Sequence, residues 1–398
     1  MKLLFDLQAL QPDYLGSTFH GGGEYARYYF NESIKMQIHT KHDLSCIYNG
    51  SKNLDEKIAD LCSKKNIKLF DTAKIDSLSD FIDNNDFDVF YSALPNDIYS
   101  NLNLRKCKFI FTLHDLRVLE MPYDIYEYKF QKGLKKLITF LFKTLFKNLY
   151  IKIKKNEFKH LINFQNKTLI TVSSHSKYSI MTFFPGIVPD QIKVIYSPIK
   201  NSPIRFTNKD EKPILDKYGL TSKEFFLIIS ANRWIKNPYR AVKAFDTLCT
   251  NKQINKKILI LGTKESRPFK IKNRDKFIFE DYVQEEELKI LYKNAFALFY
   301  PSLHEGFGYP PIEAMKYGTP TIASSIASIP EICKDNVLYF NPFSIDEMKN
   351  RILHLCDDSE MYKKISIKAK NRYNRLISDQ EKNLSNDINT IFGLYRPK

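Results

Sequence analysis

The sequence predicts an α/β protein built from two doubly wound parallel sheets. Short apolar runs alternate with helix-patterned stretches from Lys2 to Phe340, as parallel strands with crossover helices require. A chain of 398 residues exceeds one typical core and suits two domains of roughly 150–200 residues. The segment Ser197–Ile214, SPIKNSPIRFTNKDEKPI, carries three prolines, a repeated serine and mixed charge. It splits the runs into two series, which places the domains at 1–200 and 201–377.

In the first series, strands are predicted at Lys2–Asp6, Leu44–Tyr48, Ile67–Phe70, Asp88–Tyr91, Lys108–Leu113, Thr168–Val172 and Lys193–Tyr196. The second series runs Phe225–Ser230, Lys257–Leu261, Lys276–Glu280, Phe296–Tyr300, Thr319–Ala323 and Val337–Phe340. Helices are expected between them, among others at Tyr25–Ile34, Tyr239–Cys249 and Glu285–Lys293. The tail Leu384–Lys398 also reads as helical. No fixed-period repeat or low-complexity tract interrupts this order.

Hydrophobic residues make up 43% and charged residues 27% of the chain, globular values far from disorder. Six cysteines lie scattered, with no CxxC pair, so reduced thiols of a cytoplasmic protein are expected rather than disulfides or a metal knuckle. Eight histidines show no HExxH spacing, so no protein-bound metal and no cofactor are expected. The start, MKLLFDLQALQ, reads as a strand ending in an acid rather than a signal segment. No uncharged apolar stretch of about 18 residues is present, so no membrane-spanning helix is expected.

In open parallel sheets ligands bind beyond the carboxyl ends of the strands, so the loops there carry the functional reading. After the first strand, His20-Gly21-Gly22-Gly23-Glu24 precedes a helix, and a glycine run there can cradle an anion with its backbone. The strand KFIFTL runs directly into His114-Asp115. Thr168–Val172 runs into Ser173-Ser174-His175-Ser176, read mainly as a helix N-cap. Phe225–Ser230 leads to Arg233-Trp234-Ile235-Lys236-Asn237-Pro238, a cationic loop opening a helix. Arg grips phosphate oxygens bidentately and Lys acts as a point charge. Gly262-Thr263-Lys264 and Asp281-Tyr282-Val283 follow two further strands.

The most informative run is Tyr300–Glu331, YPSLHEGFGYPPIEAMKYGTPTIASSIASIPE. It sets Glu305 and Glu313 eight positions apart around Gly306-Phe307-Gly308 and Pro310-Pro311, between a buried strand and a helix. The turn brings backbone close to a ligand, and the helix start offers free N–H groups to an anion such as phosphate. Proline in the first helical turn loses nothing there. Two carboxylates beside an anion site fit only if they hold hydroxyl groups, and sugar hydroxyls are the obvious partners.

This segment resembles the Glu-x7-Glu motif of glycosyltransferase family 4, retaining transferases of the GT-B fold that use nucleotide sugars. The resemblance implies two Rossmann-like domains facing across a cleft, an N-terminal acceptor domain and a C-terminal donor domain. By it, Glu305 lies against the donor sugar, Glu313 holds the ribose, and backbone at Gly306, Phe307 and Gly308 faces the diphosphate. Gly22 and Gly23 are similar to the family's glycine-rich loop, although GGGEYAR departs from its commonest form. His114 matches the histidine that approaches the reacting centre. Arg233 and Lys236 match its phosphate-binding cations, at a spacing shorter than usual. The backbone of Tyr282 and Val283 meets the nucleobase, and the tail from about 378 packs back on the first domain.

The implied activity is metal-independent transfer of a hexose (mannose, glucose, galactose or rhamnose) from a UDP-, GDP- or dTDP-sugar. The acceptor is a glycan or an undecaprenyl-linked chain in bacterial surface-polysaccharide synthesis. A nucleotide-sugar epimerase of the same fold, and an inactive partner subunit, are the alternatives. The net charge of +16 raises a nucleic-acid binder, but no nucleic-acid motif accompanies it and no such partner is expected. Much of the charge gathers in 129–167, with eleven lysines against Glu157. Taken as one helix, it sets Leu134, Leu137, Ile138, Leu141, Phe142, Leu145, Phe146 and Leu149 on one face and Lys136, Lys143 and Lys147 opposite. Either this helix packs on the core with solvated lysines, or it lies in an anionic membrane surface with its lysines meeting lipid.

Overall fold

The computed structural model describes residues 1–12, 21–95, 99, 101–131, 133–201, 203, 206–264 and 269–394. The chain divides into two compact units. The first comprises Met1–Leu116, Lys152–Pro198 and the residues from Gln380 onwards; the second comprises Arg117–Ile151 and Ile199–Asp379.

Among the described residues the first unit holds seven strands: β1 (Lys2–Asp6), β2 (Asp43–Tyr48), β3 (Lys68–Asp71), β4 (Val89–Ser92), β5 (Lys108–Thr112), β6 (Lys167–Thr171) and β7 (Ile192–Val194). They form one parallel sheet in the order β3-β2-β1-β4-β5-β6-β7. The second unit holds β8 (Phe225–Ile228), β9 (Lys257–Leu261), β10 (Phe277–Glu280), β11 (Ala297–Tyr300), β12 (Thr321–Ser324) and β13 (Leu338–Phe340). Their order is β10-β9-β8-β11-β12-β13, again all parallel. In each sheet the order of strand addition reverses once, between β1 and β4 and between β8 and β11. Ligands of doubly wound sheets bind at such switch points.

The helices that bear on the site are α1 (Gly21–Lys35), α2 (Leu134–Leu145), α3 (Lys147–Asn163), α4 (Ser174–Phe183), α5 (Pro238–Thr250), α6 (Glu285–Asn294), α7 (Tyr309–Lys316) and α8 (Ser359–Ile391). The central strands bury on both faces, as sheets covered by helices on each side must. In the first unit Phe90 stacks on Phe109 at 5.2 Å, and Phe5 meets Phe30 and Tyr91. In the second, Phe299 stacks on Phe340 at 5.1 Å while Phe245 meets it edge-on. Asp6, the acid that ends β1, is fully buried and accepts from Ser92 Oγ at 2.7 Å and Tyr99 OH at 2.6 Å. Burial pushes its carboxyl up, against these hydrogen bonds.

The structure departs from sequence expectation in four places. The glycine run is not a loop: α1 begins at Gly21, so Gly22 and Gly23 form its first turn. His20 lies outside the described residues. Residues 129–167 form two helices rather than one, with the break at Phe146, where neither proline nor glycine marks it. A boundary at residue 200 assigns 117–151 to the first domain, whereas these residues pack with the second unit. A buried ion pair holds them there, Asp124 with Arg240 at 2.8 Å, while Glu127 pairs with Lys143 inside the segment. Finally, the tail helix ends at Ile391 and is the last part of a 33-residue helix, α8. Its Ile388 and Ile391, with Phe392 beyond it, are buried, and Phe392 lies 6.0 Å from the Phe5 ring.

Candidate active site

The second unit gathers four loops at the carboxyl edge of its sheet. The loop after β8 passes through Ser230 and Asn237, both with positive φ. Strained backbone of this kind concentrates at functional loops. Asn237 caps the start of α5 from the left-handed region, its Nδ2 donating to Pro342 O at 2.7 Å and its Oδ1 accepting from Arg240. The loop after β11 is joined to it by Leu303 N donating to Ile235 O at 2.8 Å. Ser328 Oγ donates to the carbonyls of Glu305 and Phe307, both at 2.9 Å, which fixes the turn before α7. Gly308 caps α7 with φ +104°, a conformation that suits glycine alone.

These loops bring Lys236 and Glu305 together on either side of the switch point. Lys236 Nζ donates to Glu305 Oε1 at 2.5 Å and to Tyr300 OH at 3.2 Å, and both charged side chains are almost fully buried. Burial alone pushes the Glu305 carboxyl up. Lys236 charge and hydrogen bonding, with hydrogen bonds from Ser302 and Tyr300, more than offset it and hold the group at about 2. Burial pushes Lys236 down, and repulsion from Arg233 and Arg117 adds to that against the pull of Glu305. The two partners thus lean in opposite senses, one towards charge and one towards neutrality. The short contact and the donors around Glu305 favour the ion pair as the resting state. Arg233 is exposed beside this pair.

The other loops close around the same edge. Gly262, after β9, has φ +104°, and a Cβ there would come within 2.9 Å of Ala231 N. Only glycine lets these two loops approach so closely. Gly262 N and Thr263 N donate to Glu280 O. After β10, Tyr282 is exposed and its OH accepts from Asn232 Nδ2 at 3.0 Å, which ties it to the Arg233 loop; Val283 is half-buried beside it. Glu313 lies on the exposed side of α7 and accepts from Tyr292 OH at 2.8 Å. The backbone of Gly306, Phe307 and Gly308 is buried against α7's start.

In the first unit, His114 follows β5 and its Nε2 pairs with Ala93 O, after β4, at 2.9 Å. A Cβ on Gly22 would stand 3.5 Å from that nitrogen, and Tyr25 meets the His114 ring edge-on. Gly23 is buried in the same first turn of α1. Ser173 caps α4 by accepting from Ser176 N at 3.1 Å, and Ser176 Oγ donates to His114 O. The cap expected from sequence is present, and it also steadies the histidine.

Sequence reading missed several residues that hold the second unit's site. Tyr300 ends β11 and resembles any strand aromatic, yet its hydroxyl meets Lys236. Arg240 is buried on α5, paired with Asp124 and packed over Tyr126. His304, next to Glu305, is buried with Nε2 at 2.6 Å from Glu120. Their partners lie more than a hundred residues away in sequence, apart from Tyr300, so no local pattern marks them.

The architecture has close relatives among solved structures. An Anabaena protein, HepE, crystallised with UDP-glucose, aligns over 98% of this chain and 100% of its own, with TM-score 0.65 and 14% identity. WaaG, a glycosyltransferase involved in lipopolysaccharide biosynthesis, aligns over 98% and 100% with TM-score 0.63 and 14% identity. The fold is therefore GT-B, two Rossmann-like parallel-sheet domains. The sequence model of glycosyl transferases group 1 matches residues 210–372. Curated relatives include the O-antigen chain mannosyltransferase RfbU of Salmonella typhimurium, 33% identical over 182 residues, 44% of this chain and 47% of that protein. The O-antigen chain mannosyltransferase B of Escherichia coli is 29% identical over 201 residues, 48% and 52% of the two chains. The matched region thus spans about half the length of these relatives.

Proposed function

We propose that the protein transfers a hexose, mannose first among the candidates, from a nucleotide-diphosphate sugar to a growing surface glycan. The observation that carries this reading is the buried Lys236–Glu305 pair at the switch point, in a family segment whose curated relatives are O-antigen mannosyltransferases. The acceptor would be a glycan or an undecaprenyl-linked chain at the cytoplasmic face of the plasma membrane.

In this mechanism the bond from the anomeric carbon to the diphosphate breaks, and its electron pair leaves on the phosphate oxygen. The acceptor hydroxyl bonds to the same face of the carbon and passes its proton to the departing phosphate, so configuration is retained. Arg233 and Lys236, with the first N–H groups of α7, stabilise the charge growing on the leaving group. These fixed cations, rather than a metal ion, serve the diphosphate. Glu305 stays ionised against Lys236 and positions the sugar hydroxyls. Glu313 holds the ribose, and backbone at Tyr282 and Val283 meets the base. In the first unit His114 is assigned to substrate, steadied by Ala93 and Ser176.

A panel of UDP-, GDP- and dTDP-sugars tests the reading by thermal stabilisation and donor turnover, with and without EDTA. A ligand at 100 times its Kd adds about 2.7 kcal/mol, and GDP-mannose is the expected responder. No stabilisation by any nucleotide sugar would remove the assignment. Loss of turnover with EDTA would remove its metal-free form, and an inverted product would remove the retaining path. Product formed without acceptor would favour an epimerase.

A further inference from the structure

Helix α2 is built with its faces exchanged. At about 100° per residue, Leu134, Ile138, Leu141 and Leu145 form one narrow stripe with Leu137 beside it, and Lys143 lies about 180° from Leu134. In a helix packed on a core, the leucines turn in and the lysine turns out. Here Lys143 is 8% exposed, while Leu134 is 73% and Leu145 72% exposed. Lys143 reaches inward to Glu127, itself buried, and its ammonium sits over the Trp234 ring at 5.7 Å. Lys143, one of the three lysines that sequence set opposite the leucines, is therefore the one that anchors the helix. The exposed apolar surface continues through Phe146 and Leu149, and Ile125 and Tyr128 before the helix are exposed as well.

We propose that this face is a docking surface for an anionic lipid bilayer, on which α2 lies with its leucine stripe among the headgroups. Charge selects this occupant. Residues 129–151 carry six lysines and no acid, and Lys135, Lys136 and Lys147 are exposed around the stripe. A second copy of the chain would set lysine against lysine across the interface, whereas an anionic surface neutralises them. An apolar stripe with a cationic border is what an interfacial helix needs. No helix of the described residues is long and apolar enough to cross a membrane, so the protein would lie on the surface through this segment. The Glu127–Lys143 pair, which closes on the loop of Arg233 and Lys236 through Trp234, fixes the stripe relative to the second unit's site. The use of this surface to reach a lipid-linked acceptor rests on the transferase reading; the surface itself does not.

Co-sedimentation of the full chain with vesicles tests it, comparing phosphatidylcholine alone with phosphatidylcholine mixed with phosphatidylglycerol. Binding is expected only to the mixed vesicles, weakening as ionic strength rises above about 0.15 M. The triple variant Leu134→Gln, Leu141→Gln and Leu145→Gln alters only exposed side chains, so it should fold, keep its nucleotide-induced thermal shift and lose vesicle binding by about tenfold or more. Lys135→Glu, Lys136→Glu and Lys147→Glu together should lose the preference for anionic vesicles. Binding equal on both vesicles, absent from both, or unchanged in the Gln variant would overturn the proposal. A concentration-dependent dimer abolished by the Gln variant, without vesicle binding, would assign the face to a second copy instead. Vesicle binding without any nucleotide response would sink the transferase reading and leave this one standing.

Discussion

Lys236 and Glu305 sit where an isolated charge of either sign would be costly, and each makes the other tolerable. Removing one therefore does two things: it deletes a functional group and strands its partner. Lys236→Ala and Glu305→Gln should each lower turnover by about 10²–10³, the scale for loss of one preorganised electrostatic group. Glu313→Ala touches a more exposed carboxylate held by Tyr292 and should raise KM for the donor with little change in kcat. Steady-state kinetics separate the two classes, provided circular dichroism and melting show each variant folded. Near-full activity of a folded Lys236→Ala protein would sink the assignment.

At the scale of elements, the loops at the sheet edge depend on how closely backbone can approach backbone. Gly262 and Gly308 share φ +104°, but their surroundings differ. A methyl on Gly262 would meet Ala231 N at 2.9 Å and Ser230 Cα at 3.0 Å, whereas one on Gly308 would find nothing nearer than Ile329 Cγ1 at 3.9 Å. Gly308→Ala should cost about 1–2 kcal/mol of backbone strain, and Gly262→Ala more, because two loops must also separate. Urea unfolding of both variants checks the order; equal effects would mean the close approach does not matter. The sequence revealed strands far better than this geometry. All thirteen were placed within one or two residues at most of their ends, because buried parallel strands write continuous apolar runs. The inward turn of Lys143 and the burial of Arg240 depend on Glu127 and Asp124, acids in an irregular stretch that no periodicity marks. The glycine run misled for a related reason: glycine permits a loop, but α1 starts there because Tyr25, Tyr29 and Phe30 pack into the first unit's core.

For the molecule as a whole, two carboxyls set opposite pH dependences, one in each unit. Glu305 is held at about 2, below its ordinary 4.5. Its contribution to the second unit's stability is full above about pH 4.5 and is lost as pH falls towards 2. Burial pushes Asp387 up to about 7 from 3.8, against a hydrogen bond from Tyr29 at 3.4 Å. The unfolded chain gives up that proton first, so the first unit loses stability as pH rises from about 4 to 7. Asp387→Asn should add on the order of 1–2 kcal/mol at pH 8, after allowance for partial exposure, and nothing at pH 4. Denaturant titrations across that range, read with a probe in each unit, would show it; a gain that does not vary with pH would refute the titration as its cause.

The path of the chain has a consequence for how it is made. The first unit owns both the first strand and the last turns of α8: Phe5 packs on Phe392, and a Cβ on Gly393 would touch Val89 and Ile110. A nascent chain emerging from the ribosome can complete the contiguous core of residues 206–379 while β1 still waits for its covering helix. Domains ordinarily close in the order of synthesis. Of the two units, the one begun earlier is the one finished later, so its apolar sheet stays partly bare until Ile388 to Gly393 have left the exit tunnel.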